Sequence, residues 1–226
     1  MVVLDAGCGR SAPILVSLPA TARRIGIDLV EPCLPPGSGV EFLHRGMEDT
    51  GLPSAFCDLV ISRSVLEHLA MPELVFAEIA RVLKPGGRFV FLTPNGWDYV
   101  SILARVVPNR WHPVVVARAQ GRSEDDVFPV LYRANTARAL RRLSQQSGLT
   151  VQSLEYLGSQ PSYLKFSSTL YAIGTVYELV IRRFRLLHPL RGWILGSLVK
   201  PAVDLREALT PEGQSLSPTL SNSRGA

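Results

Sequence analysis

Apolar and polar residues along the chain fall into runs of two kinds, short continuous ones and longer ones at helical spacing. Val2-Val3-Leu4 is aliphatic and mostly β-branched, as a buried parallel strand requires. Arg10–Leu18 follows with helix-compatible spacing and Pro13 in its first turn. Arg24–Leu29 predicts a second buried strand, and Val40–Leu43 a third. Between them Glu31–Gly39 carries three prolines and two glycines, so the crossover helix expected there has little chance to form. Asp58-Leu59-Val60-Ile61 marks a fourth strand over Cys57–Ile61. From Pro72, the positions Leu74, Val75, Ile79, Val82 and Leu83 repeat at helical spacing until Pro85-Gly86-Gly87. Arg88–Leu92 predicts a fifth strand. Asn135 or Thr136 caps a helix to Ser147, and Val151–Leu157 predicts a sixth strand.

Strands alternating with helices define an α/β fold with a doubly wound, mostly parallel sheet and helices on both faces. Ligands of such sheets lie along the carboxyl ends of the strands. Those ends carry Asp5, Asp28, the loop after Leu43, Ser62-Arg63-Ser64 and Thr93-Pro94-Asn95. The first strand runs into Asp5-Ala6-Gly7-Cys8-Gly9, whose glycines let the backbone turn sharply and approach a ligand. Asp28, about 20 residues further on, has the spacing of an acid that accepts from both hydroxyls of a ribose. A nucleotide site is the expectation. Gly7-Cys8-Gly9-Arg10-Ser11-Ala12 also satisfies the dinucleotide fingerprint, so an NAD(P)-binding oxidoreductase is a rival reading at this point.

Composition narrows the field. The 226 residues are 46% hydrophobic, enough for one domain with a full core. A net charge of +5 permits an anionic partner without requiring nucleic acid. Cys8, Cys33 and Cys57 are odd in number and lack metal spacing, so we expect reduced thiols, a cytoplasmic setting and no metal site. No signal peptide is expected, because Met1 leads straight into a core strand. A core strand at Met1 raises the expectation of either a start codon assigned too late or a trimmed chain, and in both cases of missing helices that would cover the glycine turn.

Five ordered motifs now stand together: Val3-Leu4-Asp5-Ala6-Gly7-Cys8-Gly9, Gly26-Ile27-Asp28, Phe56-Cys57-Asp58-Leu59-Val60-Ile61, Val65-Leu66-Glu67-His68-Leu69 and Leu83-Lys84-Pro85-Gly86-Gly87. Over residues 2–157 the chain resembles class I S-adenosylmethionine-dependent methyltransferases, in the small-molecule group that includes quinone-biosynthesis enzymes. The resemblance implies a Rossmann-like sheet and S-adenosylmethionine as cofactor. It places Gly7 and Gly9 under the methionine part and Asp5 near its amino group. Asp28, followed by Leu29, holds the ribose, and Met47 and Glu48 border adenine. Ser62, Arg63 and Ser64 line the methyl-donor pocket. The family often has an Asp just before the pair bordering adenine. Gly46 stands there in this chain, and Glu48 or Asp49 is the expected substitute. Cys8 is read as a small packing residue.

The implied reaction is in-line methyl transfer to a small-molecule or lipid-linked acceptor. It requires alignment and exclusion of water, and a base only where the acceptor must lose a proton. His68 is the first candidate base, since histidine titrates in the neutral range, with Glu67 and His112 behind it. The Asn/Asp-Pro-Pro-aromatic motif of amino-group methyltransferases acting on DNA is replaced by Ser62-Arg63-Ser64-Val65, so no nucleic acid substrate is expected. A cofactor-binding protein without catalysis is the other alternative.

We expect residues 1–160 to form the cofactor-binding core, with 96–134 as an acceptor-side insertion. The insertion is long enough for a lid and carries Trp97, Tyr99, Trp111, His112, Phe128 and Tyr132. Residues 161–206 read as a helical C-terminal extension. Phe166–Ile181 is apolar apart from Glu178, Arg182, Arg183 and Arg185 follow, and His188–Val203 reads as a second apolar helix. These helices either complete the core or lie on the inner face of the membrane as a peripheral contact through 166–203. Tyr163–Phe166 is too short for the seventh strand that the family adds. Residues 207–226 are expected to be a disordered tail.

Overall fold

The computed structural model describes residues 1–106, 129–161 and 164–202. Seven strands form one sheet: β1 (Val2–Ala6), β2 (Arg23–Asp28), β3 (Val40–His44), β4 (Cys57–Arg63), β5 (Leu83–Pro94), β6 (Thr150–Leu157) and β7 (Trp193–Val199). Their order is β3-β2-β1-β4-β5-β7-β6, with β7 antiparallel to both neighbours and β1 to β5 parallel. Described helices are α1 (Pro13–Ser17), α2 (Pro72–Val82), α3 (Tyr99–Val106), α4 (Ala137–Gln146) and α5 (Ser168–Arg183).

The alternation of β1 explains how the sheet is covered. Leu4 and Ala6 join a large core with Phe76, Ile79, Phe89, Leu140 and Leu143, to which α2 and α4 contribute. Val3, on the opposite face, joins a smaller one with Cys8, Ala12 and Leu15, under α1. That face is thin because α1 has five residues and no helix connects β2 to β3, as the prolines of 31–39 predict. Thr136 caps α4 by accepting from the Ala139 N–H at 3.2 Å.

Two expectations need correction. Strand β5 begins at Leu83, before the predicted Arg88, and runs through Lys84-Pro85-Gly86-Gly87. Gly86 at φ +80° absorbs the irregularity, and its N–H donates to the Lys200 carbonyl at 2.8 Å. Lys84 in turn reaches Asp58 on β4 at 2.7 Å.

The second correction concerns the C-terminal extension. Only its first half is an α-helix, α5; Arg185–Leu190 forms a 3-10 turn and Trp193–Val199 is strand β7. Ile194, Gly196 and Leu198 alternate with half-buried residues and face the core. The seventh strand therefore lies here. β7 fills the gap between β5 and β6, each of which would otherwise present an open edge. Gly196 pairs with Phe91, and a Cβ on Gly196 would overlap that ring.

Candidate active site

A cleft of about 630 Å³ opens at the carboxyl ends of β1 to β4. From β1 the chain runs outward to β3 and then crosses back to β4, so the cleft sits at the topological switch point. Its lining includes Asp5, Gly7, Gly9, Asp28, Leu29, Met47, Glu48, Arg63 and His68. Ser62, expected with them, is buried but does not line the cleft. Strand alternation puts it and Arg63 on opposite faces of the sheet.

The glycine loop owes its shape to its neighbours. Gly7 and Gly9 have φ of +82° and +68°, a region that side chains disfavour. A Cβ on Gly7 would overlap Val65, whereas one on Gly9 would meet nothing within 4 Å. The N–H groups of Gly7 and Cys8 donate to the Ile27 carbonyl at 2.9 and 3.1 Å. Cys8 is buried, and its Sγ lies 2.7 Å from where a Cβ of Gly26 would stand, in keeping with packing. Asp28 clasps the loop to β2: its Oδ2 accepts from the Gly9 N–H at 2.7 Å and its Oδ1 from the Val30 N–H at 3.0 Å.

Asp5 is only 2% exposed. Burial raises its pKa from 3.8 to about 7; Arg63 opposes the rise and Asp28 adds to it. A raised carboxyl pKa favours folding while the group is protonated. Asp5 therefore contributes stability below its unfolded pKa, and this is lost as pH rises through about 7. Binding of an ammonium group beside it has the opposite trend, because only the carboxylate attracts the cation. We expect affinity for S-adenosylmethionine to rise about tenfold between about pH 6 and about pH 8, following the ionised fraction of Asp5. Calorimetric titration across that range checks it, and Asp5→Asn should flatten the profile.

The loop after β3 is tied down from below. Glu78 on α2 accepts from Thr50 N–H and Oγ1 at 2.9 and 2.7 Å, and Arg81 donates to it at 2.7 Å. The Arg81 bond holds the Glu78 carboxyl down at about 2. Glu78 escapes a sequence reading because its spacing marks only one more helical position. It positions the loop that brings Met47 and Glu48 to the cleft. The Glu48 carboxylate folds back over Gly46, 2.6 Å from where a Cβ would sit there. Asp49 is instead exposed beside Arg45, at 3.6 Å.

Beyond β4, Ser64 adopts φ +58°, a strained value for a residue with a side chain, and leads into the 3-10 turn Leu66–His68. His68 Nδ1 lies 3.0 Å from the Pro129 carbonyl. A carbonyl only accepts, so Nδ1 carries the proton and Nε2 is the basic nitrogen. Nε2 is 3.9 Å from Glu67, whose buried carboxyl is raised by desolvation and meets Thr93 Oγ1 at 3.3 Å. The Glu67 carbonyl accepts from Leu131 and Tyr132 N–H groups, stitching the returning insertion to this turn. Trp97, Tyr99 and Tyr132 do not line the cleft. Trp111, His112 and Phe128 lie outside the described residues.

The donor set suits a cationic nucleoside better than a pyrophosphate. Three carboxylates, Asp5, Asp28 and Glu48, line the cleft beside Arg10, Arg45 and Arg63, and the N–H groups of Gly7, Cys8 and Gly9, which a phosphate would need, are turned to Ile27 and Asp28. Comparison with known proteins agrees. Residues 4–91 match the model of a methyltransferase domain. The ubiquinone biosynthesis O-methyltransferase of Thiobacillus denitrificans is 30% identical over 171 residues, covering 70% of this chain and 68% of that protein. A probable S-adenosylmethionine-dependent methyltransferase of Mycolicibacterium smegmatis is 34% identical over 97 residues, 41% of this chain. That match covers 38% of the Mycolicibacterium protein, so the chain spans well under half of it. Geranyl diphosphate C-methyltransferase of Streptomyces coelicolor, solved with S-adenosyl-L-homocysteine, superposes with a TM-score of 0.52 at 17% identity. It covers 88% of this chain and 72% of that one, a likeness of fold.

The chain belongs to the class I S-adenosylmethionine-dependent methyltransferases. The cofactor is S-adenosylmethionine, and the residues around the cleft fit it.

Proposed function

We propose that the chain methylates a hydroxyl group of a small hydrophobic acceptor, free or carried on a lipid tail. The observation that carries this reading is that one cleft joins the Asp28-clasped glycine loop to a histidine whose basic nitrogen is Nε2. When bound, S-adenosylmethionine supplies a methyl group already activated on a sulfonium sulfur. Asp5 attracts the ammonium of the methionine part, and Asp28 accepts from the ribose hydroxyls while holding Gly9. Met47 and Leu29 offer apolar surface to adenine. Glu48 replaces the missing side chain at Gly46 as acceptor for the adenine amino group. His68 Nε2 takes the acceptor's hydroxyl proton as its oxygen gains the methyl group. The O-methyltransferase relative supports oxygen as the methylated atom.

His68→Ala is expected to lower kcat by about a hundredfold or more on a hydroxyl acceptor, the range of general-base catalysis. The dissociation constant of S-adenosylhomocysteine should stay unchanged. Turnover assays paired with calorimetry test this: an unaltered kcat removes His68 from catalysis. Thermal stabilisation by NAD, with none by S-adenosylmethionine, would overturn the assignment as a whole.

A further inference from the structure

Helix α5 is amphipathic the wrong way round. Its inward face carries Tyr171, Gly174, Thr175, Tyr177, Glu178 and Ile181. Polar contacts hold these in place. Tyr177 packs edge-on against Tyr99 with ring centroids 5.2 Å apart, and its hydroxyl donates to the Leu190 carbonyl at 3.3 Å. Glu178 accepts from the Ser159 N–H at 3.4 Å. A surface helix ordinarily turns its aliphatic stripe to the core and its polar one to water. Here Ile173, Val176 and Leu179 are 60%, 59% and 57% exposed, with Leu170 and Val180 beside them. The apolar surface continues beyond both ends of the helix through Phe166 and Phe184, and Leu186 is 90% exposed.

Charge tells what covers this face. Lys165, Arg182, Arg183 and Arg185 are exposed around it. Between residues 165 and 186 the only acid is Glu178, which faces inward. Cations flanking an aliphatic stripe match an anionic lipid surface, where the aliphatic groups enter the headgroup boundary and the cations meet phosphates. A second copy of the chain would set the same cations against one another without a carboxylate to offset them. Sixteen residues of helix measure about 24 Å, short of the ~30 Å hydrocarbon core, and no described helix is long and apolar enough to cross a membrane.

We propose that the outer face of α5, from Phe166 to Leu186, is a docking surface for an anionic membrane, on which the helix lies flat. Asn95, just after β5, donates to the carbonyls of Pro189 and Arg191 at 2.7 and 2.8 Å. These bonds fix the turn that follows the docking segment to the end of the sheet at which the cofactor cleft opens. The proposal goes beyond methyl transfer and does not depend on it, because docking is measured without cofactor or acceptor.

Flotation of the full chain with vesicles tests it. The protein should float with equimolar phosphatidylcholine and phosphatidylglycerol, remain below with phosphatidylcholine alone, and be released by high salt. Arg182→Gln with Arg183→Gln should lower the partition coefficient about thirtyfold. The triple variant Ile173→Ser, Val176→Ser, Leu179→Ser should abolish flotation while S-adenosylhomocysteine still raises its melting temperature. Failure of the wild-type chain to float with anionic vesicles would overturn the proposal. So would flotation undiminished in the arginine variant. A dimer in sedimentation that dissociates in the triple variant would assign the face to a second copy instead.

Discussion

Asp28→Ala is expected to weaken S-adenosylhomocysteine binding by about a hundredfold or more, the largest loss of affinity for a single substitution in the cleft. The carboxylate acts twice. It holds the glycine loop through the Gly9 and Val30 N–H groups at 2.7 and 3.0 Å, and it lines the cleft, where the proposed function has it accept from the ribose hydroxyls. A hydrogen bond to a charged group contributes about 1.5–3 kcal/mol, so losing even two such bonds exceeds a factor of a hundred. Asp28→Asn should fall between, because its amide keeps one acceptor oxygen but turns a donor toward the second N–H. Calorimetric titration with S-adenosylhomocysteine measures all three proteins. Unchanged affinity in Asp28→Ala would remove the ribose role.

Gly7→Ala should have the largest effect on stability. Two costs combine at this position. The φ of +82° disfavours any side chain by about 1–2 kcal/mol. A methyl group there would also overlap Val65, and forcing atoms into a packed site costs about 1–3 kcal/mol more. The sum lowers the melting temperature by roughly 5–15 °C for a chain of this size. Gly9→Ala separates the two terms, since Gly9 has a similar φ but open space around its Cα. It should lose only the backbone part. Adding Val65→Ala to Gly7→Ala should recover the steric part and leave the rest, apart from the small cavity it creates. Thermal denaturation of the single and double variants checks the scheme. Equal melting temperatures for Gly7→Ala and Gly9→Ala would show that Val65 does not constrain the loop.

The two glycines illustrate what a linear reading can reach. Both appear in the sequence as members of one motif, yet only the packing of Val65 distinguishes them. The same holds at Gly46. The sequence shows that an expected acid is missing and names Glu48 and Asp49 as replacements. Only the folded loop turns Glu48 over Gly46 and leaves Asp49 beside Arg45. Glu78 was silent in the sequence, because a charged residue inside an amphipathic helix normally marks the solvent side. Its burial becomes intelligible once Thr50 and Arg81 are seen to satisfy it.

The C-terminal region shows the limit most clearly. Trp193-Ile194-Leu195 and Leu198-Val199 are apolar at both period two and helical spacing, so local pattern does not choose between strand and helix. The choice belongs to the sheet. An unfilled gap between β5 and β6 offers two rows of backbone groups, and Gly196 offers space for Phe91. No local feature encodes either.

By itself, the sequence determined the parallel strands from β1 to β4, the glycine loop, the acid at the end of β2 and the family. These rest on short-range chemistry: continuous aliphatic runs, backbone freedom at glycine and fixed spacings along the chain. Tertiary structure decided which motif residues share the cleft and which, like Ser62, turn away from it. It also placed the seventh strand and set the aliphatic stripe of α5 outward. Those outcomes depend on partners distant in sequence, and a side chain's direction is settled only when its neighbours across the sheet are in place.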